Sequence, residues 1–302
     1  MYPLFMKAAR FKTAMEAFTW NTLNRRRLAV YLRSDRRPWS TGYDEYRQKS
    51  LMESINSDSV LEIFANGRDL PKGYAFRLDA RLVEIPWVLA RTAQREGLFL
   101  DAGSALNYEF VLNSEALKNK KMTIVTLAPE GQAFWRLGVS YVFGDLRDLD
   151  FRDNRFDAIA CISTIEHIGM DNSMYAGDAD IARRGDPKEF LLAVKELKRV
   201  LKPGGTLYIT FPFGRYENHG WFQQFDAALL DQLVEGFGPA QVKETIFKYE
   251  ADGWELSNRT ACAECQFFDV HESKYCDPNS TIEYPNDYPA GERALACLEL
   301  RK

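Results

Sequence analysis

Residues 98–104, Leu98-Phe99-Leu100-Asp101-Ala102-Gly103-Ser104, constrain the chain more than any other stretch, because an apolar run there is stopped by an acid and then a glycine. A short apolar run closed by turn chemistry reads as a buried strand, and the carboxyl end of such a strand in a doubly wound sheet is where ligands bind. Asp101 and Gly103 are therefore expected at a ligand crevice.

Beyond this strand the chain alternates between helix and strand signals. Residues 106–117 are expected as a helix, 122–127 as a β-branched strand, 131–137 as a short helix, 139–143 as a third strand closed by Gly144-Asp145, and 156–162 as a fourth. Asp186-Pro187-Lys188-Glu189 reads as a helix start, with an acid at the N-cap, proline at the first position and glutamate at N3. Phe190, Val194, Leu197 and Leu201 then give one buried face, and Lys202-Pro203-Gly204-Gly205 closes the helix as a tight turn. Residues 206–211 come next as strand, then 226–237 as helix, 241–249 as strand and 293–300 as the last strand. The pattern predicts an α/β fold, a doubly wound Rossmann-like sheet that is mostly parallel with its last strand antiparallel. Residues 251–292, polar, aromatic and irregular, read as an insertion over the carboxyl edge.

Ahead of the sheet, residues 4–33 and 43–64 read as helical, with Asn66-Gly67 and Pro71-Lys72-Gly73 marking a boundary near residue 70. This gives a helical extension over 1–70 and a catalytic-size domain over 71–302. Pro86 kinks or starts a helix just before the first strand, and that helix, bearing Glu84 and Trp87, either folds over the crevice or packs on the sheet edge. Residues 1–50 hold eleven Lys and Arg against four Asp and Glu, within a chain of net charge −4, so a basic arm precedes an acidic body. Such an arm, including Arg25, Arg26, Arg27, Arg33, Arg36 and Arg37, seeks an anionic membrane or partner, or lines solvated helix faces and pairs with the acidic body. No stretch approaches the roughly 20 apolar residues of a membrane span, and no signal-peptide core is present. A cytoplasmic location is the expectation, with a peripheral seat at the inner membrane face if the arm meets lipid. Five cysteines are too few for a disulfide framework.

Several stretches together carry a resemblance: Leu98 to Gly103, Gly144-Asp145, Phe156-Asp157 through Glu166-His167-Ile168, and Leu197 through Gly205 with its adjoining strand. In order and spacing, over about residues 75–250 and again at 293–302, they resemble the successive motifs of class I S-adenosylmethionine-dependent methyltransferases. Residues 74–87 and 163–172 also resemble methyltransferases found with bacterial surface-polysaccharide genes. The resemblance implies S-adenosyl-L-methionine as cofactor, with Asp101 facing its ammonium directly or through water and Gly103 allowing close backbone approach. It implies Asp145 at the adenine amino group with Leu146 packed nearby, Ser163 and Thr164 beside the methionine part, and Ser104 and Asn107 in the loop where the family usually has a second glycine. Where the family commonly ends its second strand with an acid for the ribose hydroxyls, this chain has Thr126-Leu127-Ala128-Pro129-Glu130. Either Thr126 replaces that acid, Glu130 reaches back, or the cofactor is held poorly.

For chemistry, a hydroxyl acceptor must lose a proton as it takes the methyl group, so the protein supplies orientation and a base. His167, past the fourth strand, is one candidate base and otherwise stacks on the cofactor or caps a helix; His219, past the fifth, is the second. Tyr175, Arg215, Trp221 and Trp254 fall in the segments expected to cover the acceptor, where aromatic faces beside polar groups suit sugar rings and planar small molecules alike. Cys262, Cys265, His271 and Cys276 span fifteen residues and could close a tetrahedral zinc site, although buried inert thiols answer the same pattern. Cys161 and Cys297 are expected in the core.

The expected function is methylation of a sugar hydroxyl on a polysaccharide, glycolipid or nucleotide-linked precursor. The alternatives are methylation of another small molecule or a lipid, and a non-catalytic cofactor-binding scaffold subunit. Nucleic acid ranks below these, since the body is acidic and the basic residues lie far in sequence from the motifs.

Overall fold

The computed structural model describes residues 22–93, 96–176 and 185–302. The part of the basic arm before residue 22 lies outside the described residues.

Residues 22–33 are helical, and α1 (Tyr43–Ile55), α2 (Asp58–Asn66) and α3 (Arg81–Thr92) come after them. The stretch expected as one helix over 43–64 is two, because Ser57 leaves helical geometry and its side chain caps α2 at the Val60 N–H, while Gly67 in the left-handed region ends α2 as its type predicts. Pro86 sits inside α3, and every residue from Leu82 to Leu89 is buried, so this helix is wedged within the fold. The described residues then build β1 (Gly97–Ala102), β2 (Lys120–Thr126), β3 (Ser140–Phe143) and β4 (Phe156–Ile162). After them come α4 (Phe190–Val200), β5 (Leu201–Pro212), α5 (Ala227–Phe237), β6 (Gln241–Glu250), β7 (Gly253–Ser257) and β8 (Ala294–Arg301).

The eight strands form one sheet in the order β3-β2-β1-β4-β5-β8-β6-β7. The first five pair parallel, and β8 runs antiparallel between β5 and β6. The central strands read as unbroken apolar runs because both faces are covered. Phe99 of β1 packs in a core with α1, α2 and α3, whereas Leu100, its neighbour, packs on the opposite face with Phe190, Val194 and Leu197 of α4. Cys161 and Cys297 lie buried in the core, as their strand positions imply.

Several local expectations are corrected by side-chain chemistry. The helix expected over 106–117 shrinks to Glu109–Leu112: the Asn113 N–H still donates to the Glu109 carbonyl (3.0 Å), but the Ser114 and Leu117 N–H groups donate three residues back, to the Val111 and Ser114 carbonyls, so the segment passes into turns. Asp186 caps its turn by accepting from the Lys188 N–H (2.9 Å), but Glu189 does not close a capping box; it accepts from Arg147. Pairing of β4 with β5 jumps from Phe156–Leu201 to Ala158–Thr206, so Lys202-Pro203-Gly204-Gly205 bulges with Gly204 at φ 77°. Within 251–292, expected to be irregular, residues 253–257 form β7 and add an edge strand to β6.

The arm's arginines divide. Arg27 pairs with Glu45 at 3.4 Å, and Arg37 lies over the rings of Tyr275 and Tyr288, while Arg25, Arg26 and Arg33 are exposed. No helix among the described residues is long and apolar enough to cross a membrane.

Candidate active site

Strand order reverses direction between β1 and β4, and the crevice outside the carboxyl ends at that point is where this architecture binds ligands. A cavity of about 570 Å³ opens there. Eight sequence-predicted cofactor residues line it: Gly103, Ser104, Asn107, Thr126, Asp145, Leu146, Ser163 and Thr164. Asp101 does not. It is buried beneath the rim, with Oδ2 accepting the Leu106 N–H (2.9 Å) and Oδ1 without a hydrogen-bond partner among the described residues. Burial pushes the Asp101 carboxyl up to about 7, against the Leu106 N–H and the Arg81 guanidinium, which pull it down.

The rim is shaped by backbone demands. Gly103 sits at φ 111°, and a Cβ there would lie 2.0 Å from Thr164 Oγ1, so no side chain fits. Ser104 (φ 66°) and Ser163 (φ 37°) hold left-handed conformations unusual for serine, and such strain gathers at functional sites. The Ser104 hydroxyl is buried with no partner among the described residues. Two orphaned polar atoms beside a cradle that admits only glycine suit a ligand rich in donors and acceptors. At the end of β2, Thr126 Oγ1 donates to Glu130 Oε1 (3.1 Å), and both residues line the cavity, so Glu130 does reach back toward the strand end. Asn107 is fixed by Tyr141, whose hydroxyl donates to Asn107 Oδ1 (2.8 Å). Asp145 accepts from the backbone N–H and guanidinium of Arg147.

His167 lines the same cavity. Its Nδ1 lies 2.9 Å from the Trp221 carbonyl, and since a carbonyl only accepts, the proton is on Nδ1 and Nε2 keeps its lone pair. Burial is the main cause that pulls the imidazole down to about 4, so the ring is neutral at neutral pH. Tyr175 also lines the cavity and meets His167 edge-on at 5.5 Å.

A second cleft, of about 270 Å³, adjoins the first. Arg81 borders both, and Glu84 on the second cleft's wall accepts from Ser163 Oγ and from Thr210 Oγ1 (2.6 Å) while pairing with Arg81 at 2.8 Å. Trp221, whose carbonyl holds His167, lines this second cleft. The partition between the two spaces is therefore Arg81, Glu84, Ser163 and the His167–Trp221 link. Aromatic rings of Trp39, Trp221, Phe267 and Phe268 face the cleft, with Asp79, Asp269 and Glu292 supplying carboxyl groups.

Other predicted residues are placed elsewhere. Trp254 is buried and donates from Nε1 to the Leu78 carbonyl (2.9 Å), which makes it a core residue and not an acceptor contact. Trp87 is likewise fully buried, edge-on to Tyr208. Arg215 is exposed and pairs with Glu217 at 3.0 Å, and His219 stacks on Phe222 with its Nε2 3.5 Å from Glu217; neither lines the cavity or the cleft. Nor do the four zinc candidates converge. Cys262 is buried against Ser257, Cys265 is one turn away, His271 lies on the wall of the aromatic cleft, and Cys276 is exposed. Among the described residues no group of three or more His, Cys, Asp or Glu is placed to hold a metal ion. Sequence reading missed Arg81 and Glu292 as site residues, because what brings them together is the docking of α3 and of the insertion, and no local motif marks either.

A family model described as "Methyltransferase domain" matches residues 108–209. No curated protein matches the chain. Solved structures of similar shape include a SAM-dependent methyltransferase from Archaeoglobus fulgidus, 14% identical, covering 75% of this chain and 96% of its own, at a TM-score of 0.45. Another is the Burkholderia thailandensis 1,6-didemethyltoxoflavin-N1-methyltransferase, solved with its substrate and S-adenosylhomocysteine, 16% identical over 86% and 90% of the two chains, at 0.41. The YcgJ protein from Bacillus subtilis is 13% identical, covering 73% and 98%, at 0.42. The chain thus has a Rossmann-like methyltransferase sheet, and its residues 108–209 match a methyltransferase domain.

Proposed function

We propose that the chain methylates a small-molecule acceptor seated in the aromatic cleft, with S-adenosylmethionine held in the adjoining cavity. The observation that carries this reading is the shared partition: Arg81 borders both spaces, and the cavity's Ser163 and His167 are hydrogen-bonded to the cleft's Glu84 and Trp221. A donor on one side and an acceptor on the other are thus brought to a common boundary, which is what an in-line transfer requires.

The cofactor supplies an electrophilic methyl group on a sulfonium. Asp101, beneath the rim, would serve its ammonium through bridging water, and the orphaned Ser104 hydroxyl and the close approach at Gly103 suit its amino-acid part. Thr126 with Glu130 would meet the ribose hydroxyls, and Asp145 with Leu146 the adenine. His167 and Tyr175 would wall the methionine end, the neutral imidazole avoiding repulsion of a sulfonium.

A sugar hydroxyl is the second reading, supported by the rings of Trp39 and Trp221 beside the carboxyl groups of Asp269 and Glu292, a combination that suits a sugar ring's apolar face and its hydroxyls. Incubating the protein with methyl-labelled S-adenosylmethionine and a panel of ring-bearing amines, phenols and nucleotide sugars, with mass spectrometry of products, tests both. Label in an amine or phenol supports the first reading, and label in a nucleotide sugar the second. Cofactor turnover with none of them would remove the small-molecule acceptor.

A further inference from the structure

We propose that Glu292 is the residue that takes the proton from the acceptor. This rests on the second cleft being the acceptor site, of which Glu292 is then the base.

The titratable groups facing the cleft divide by what they already hold. Asp79 pairs with Arg47 at 2.8 Å and accepts from the Tyr43 hydroxyl, and Glu84 is saturated by Arg81, Ser163 and Thr210. Asp269 accepts the His271 N–H at 2.8 Å, and His271 itself is exposed on the wall. The Glu292 carboxyl has no hydrogen-bond or ion-pair partner in any other described residue, yet it lines the cleft. Glu292 is half-buried on the cleft wall, so its carboxyl is left within reach of a molecule seated in the space assigned to the acceptor.

Its placement is also fixed. The Phe268 N–H donates to the Gly291 carbonyl (3.1 Å), Trp39 Nε1 donates to the Ala290 carbonyl (2.8 Å), and the Tyr249 N–H donates to the Arg293 carbonyl (2.9 Å). Three hydrogen bonds from three different segments thus hold the backbone on both sides of residue 292, which is the pre-organisation a proton acceptor needs. Burial, with Asp79 and Glu84 nearby, pushes the Glu292 carboxyl up to about 7, and its own backbone N–H and Arg81 moderate the rise. A base works best when its proton affinity lies near the working pH, which favours Glu292 over a His167 imidazole pulled down to about 4. As the acceptor's oxygen or nitrogen bonds to the methyl carbon and the methyl–sulfur bond breaks with its electron pair left on sulfur, the acceptor's O–H or N–H proton passes to a Glu292 oxygen. The carboxylate becomes a carboxylic acid and later releases the proton to water.

Carbodiimide activation with methylamine as the captured nucleophile, mapped by peptide mass spectrometry, tests the group without any acceptor. The reagent needs a protonated carboxyl, so at pH 6.5 Glu292 should be converted to its methylamide well ahead of surface carboxylates, and that lead should vanish as pH rises past about 7. Glu292→Gln should bind S-adenosylhomocysteine as the intact protein does and lower kcat at pH 7.5 about 100-fold, with Glu292→Asp between the two. Labelling of Glu292 no faster than of surface acids, or a Glu292→Gln turnover within threefold of the original, would overturn the proposal. Failure of the intact protein to bind S-adenosylhomocysteine would instead remove the functional reading, and the assignment of Glu292 as the acceptor's base with it, whatever the labelling shows.

Discussion

Asp101 shows how much one buried carboxyl can tie together. Its pKa is raised in the folded chain, so the stability it contributes is fully present below the ordinary aspartate range and is lost as pH rises through about 7. A cofactor ammonium brought near would favour the ionised form and expel that proton. S-adenosylhomocysteine should therefore bind more tightly at pH 8 than at pH 6, with proton release measurable by calorimetry in buffers of different ionisation enthalpy. Asp101→Asn should weaken binding at least tenfold and flatten both this dependence and the fall of Tm between pH 5 and 8. His167 has the opposite sign: its depressed pKa means that the stability from its neutral ring is present above the ordinary histidine range and is lost as pH falls through about 4. A rate profile whose neutral limb survives in His167→Asn, with a raised KM for the cofactor, would assign it to the cavity wall and not to proton transfer. Asp101 and Gly103 are legible in the sequence because a strand end closed by a tight turn is a local pattern. Glu292 is not, since its meaning depends on where a 42-residue insertion lands.

At the scale of elements, the sequence marks the helix start at Asp226 and the sheet it serves. Asp226 accepts the Leu229 N–H at 2.9 Å and so caps α5, whose Leu230, Leu233 and Phe237 pack on the core. Asp226→Ala should cost about 1 kcal/mol of stability in urea unfolding with no change in cofactor affinity. Strand positions and the left-handed turns at Gly67 and Gly204 result from periodicity and glycine chemistry. Helix lengths are less legible. Residues 106–117 carry helical spacing, yet past Asn113 the backbone bonds tighten to three-residue turns and the α-helix ends after one turn. Aromatic content misleads in the same way: Trp254 and Trp221 look alike in sequence, but hydrogen bonding to Leu78 binds one into the core, whereas the other lines the cleft.

Across the whole molecule, the segment before the sheet is more than an appendage. Trp39 lines the aromatic cleft and donates to the Ala290 carbonyl, and Arg47 of α1 pairs with Asp79 on its wall, so the amino-terminal part and the late insertion share the construction of that cleft. Trp39→Ala should raise the acceptor's KM several-fold and leave S-adenosylhomocysteine affinity unchanged, a split that separates the two spaces. The most direct measurement of the central claim is a calorimetric titration of S-adenosylhomocysteine into the intact protein and into Gly103→Val. The cavity at the carboxyl ends of β1, β2 and β4 predicts one site per chain, lost or weakened at least a hundredfold when a side chain is forced against Thr164. Absence of binding by the folded intact protein, or unchanged binding by a folded Gly103→Val, would contradict it.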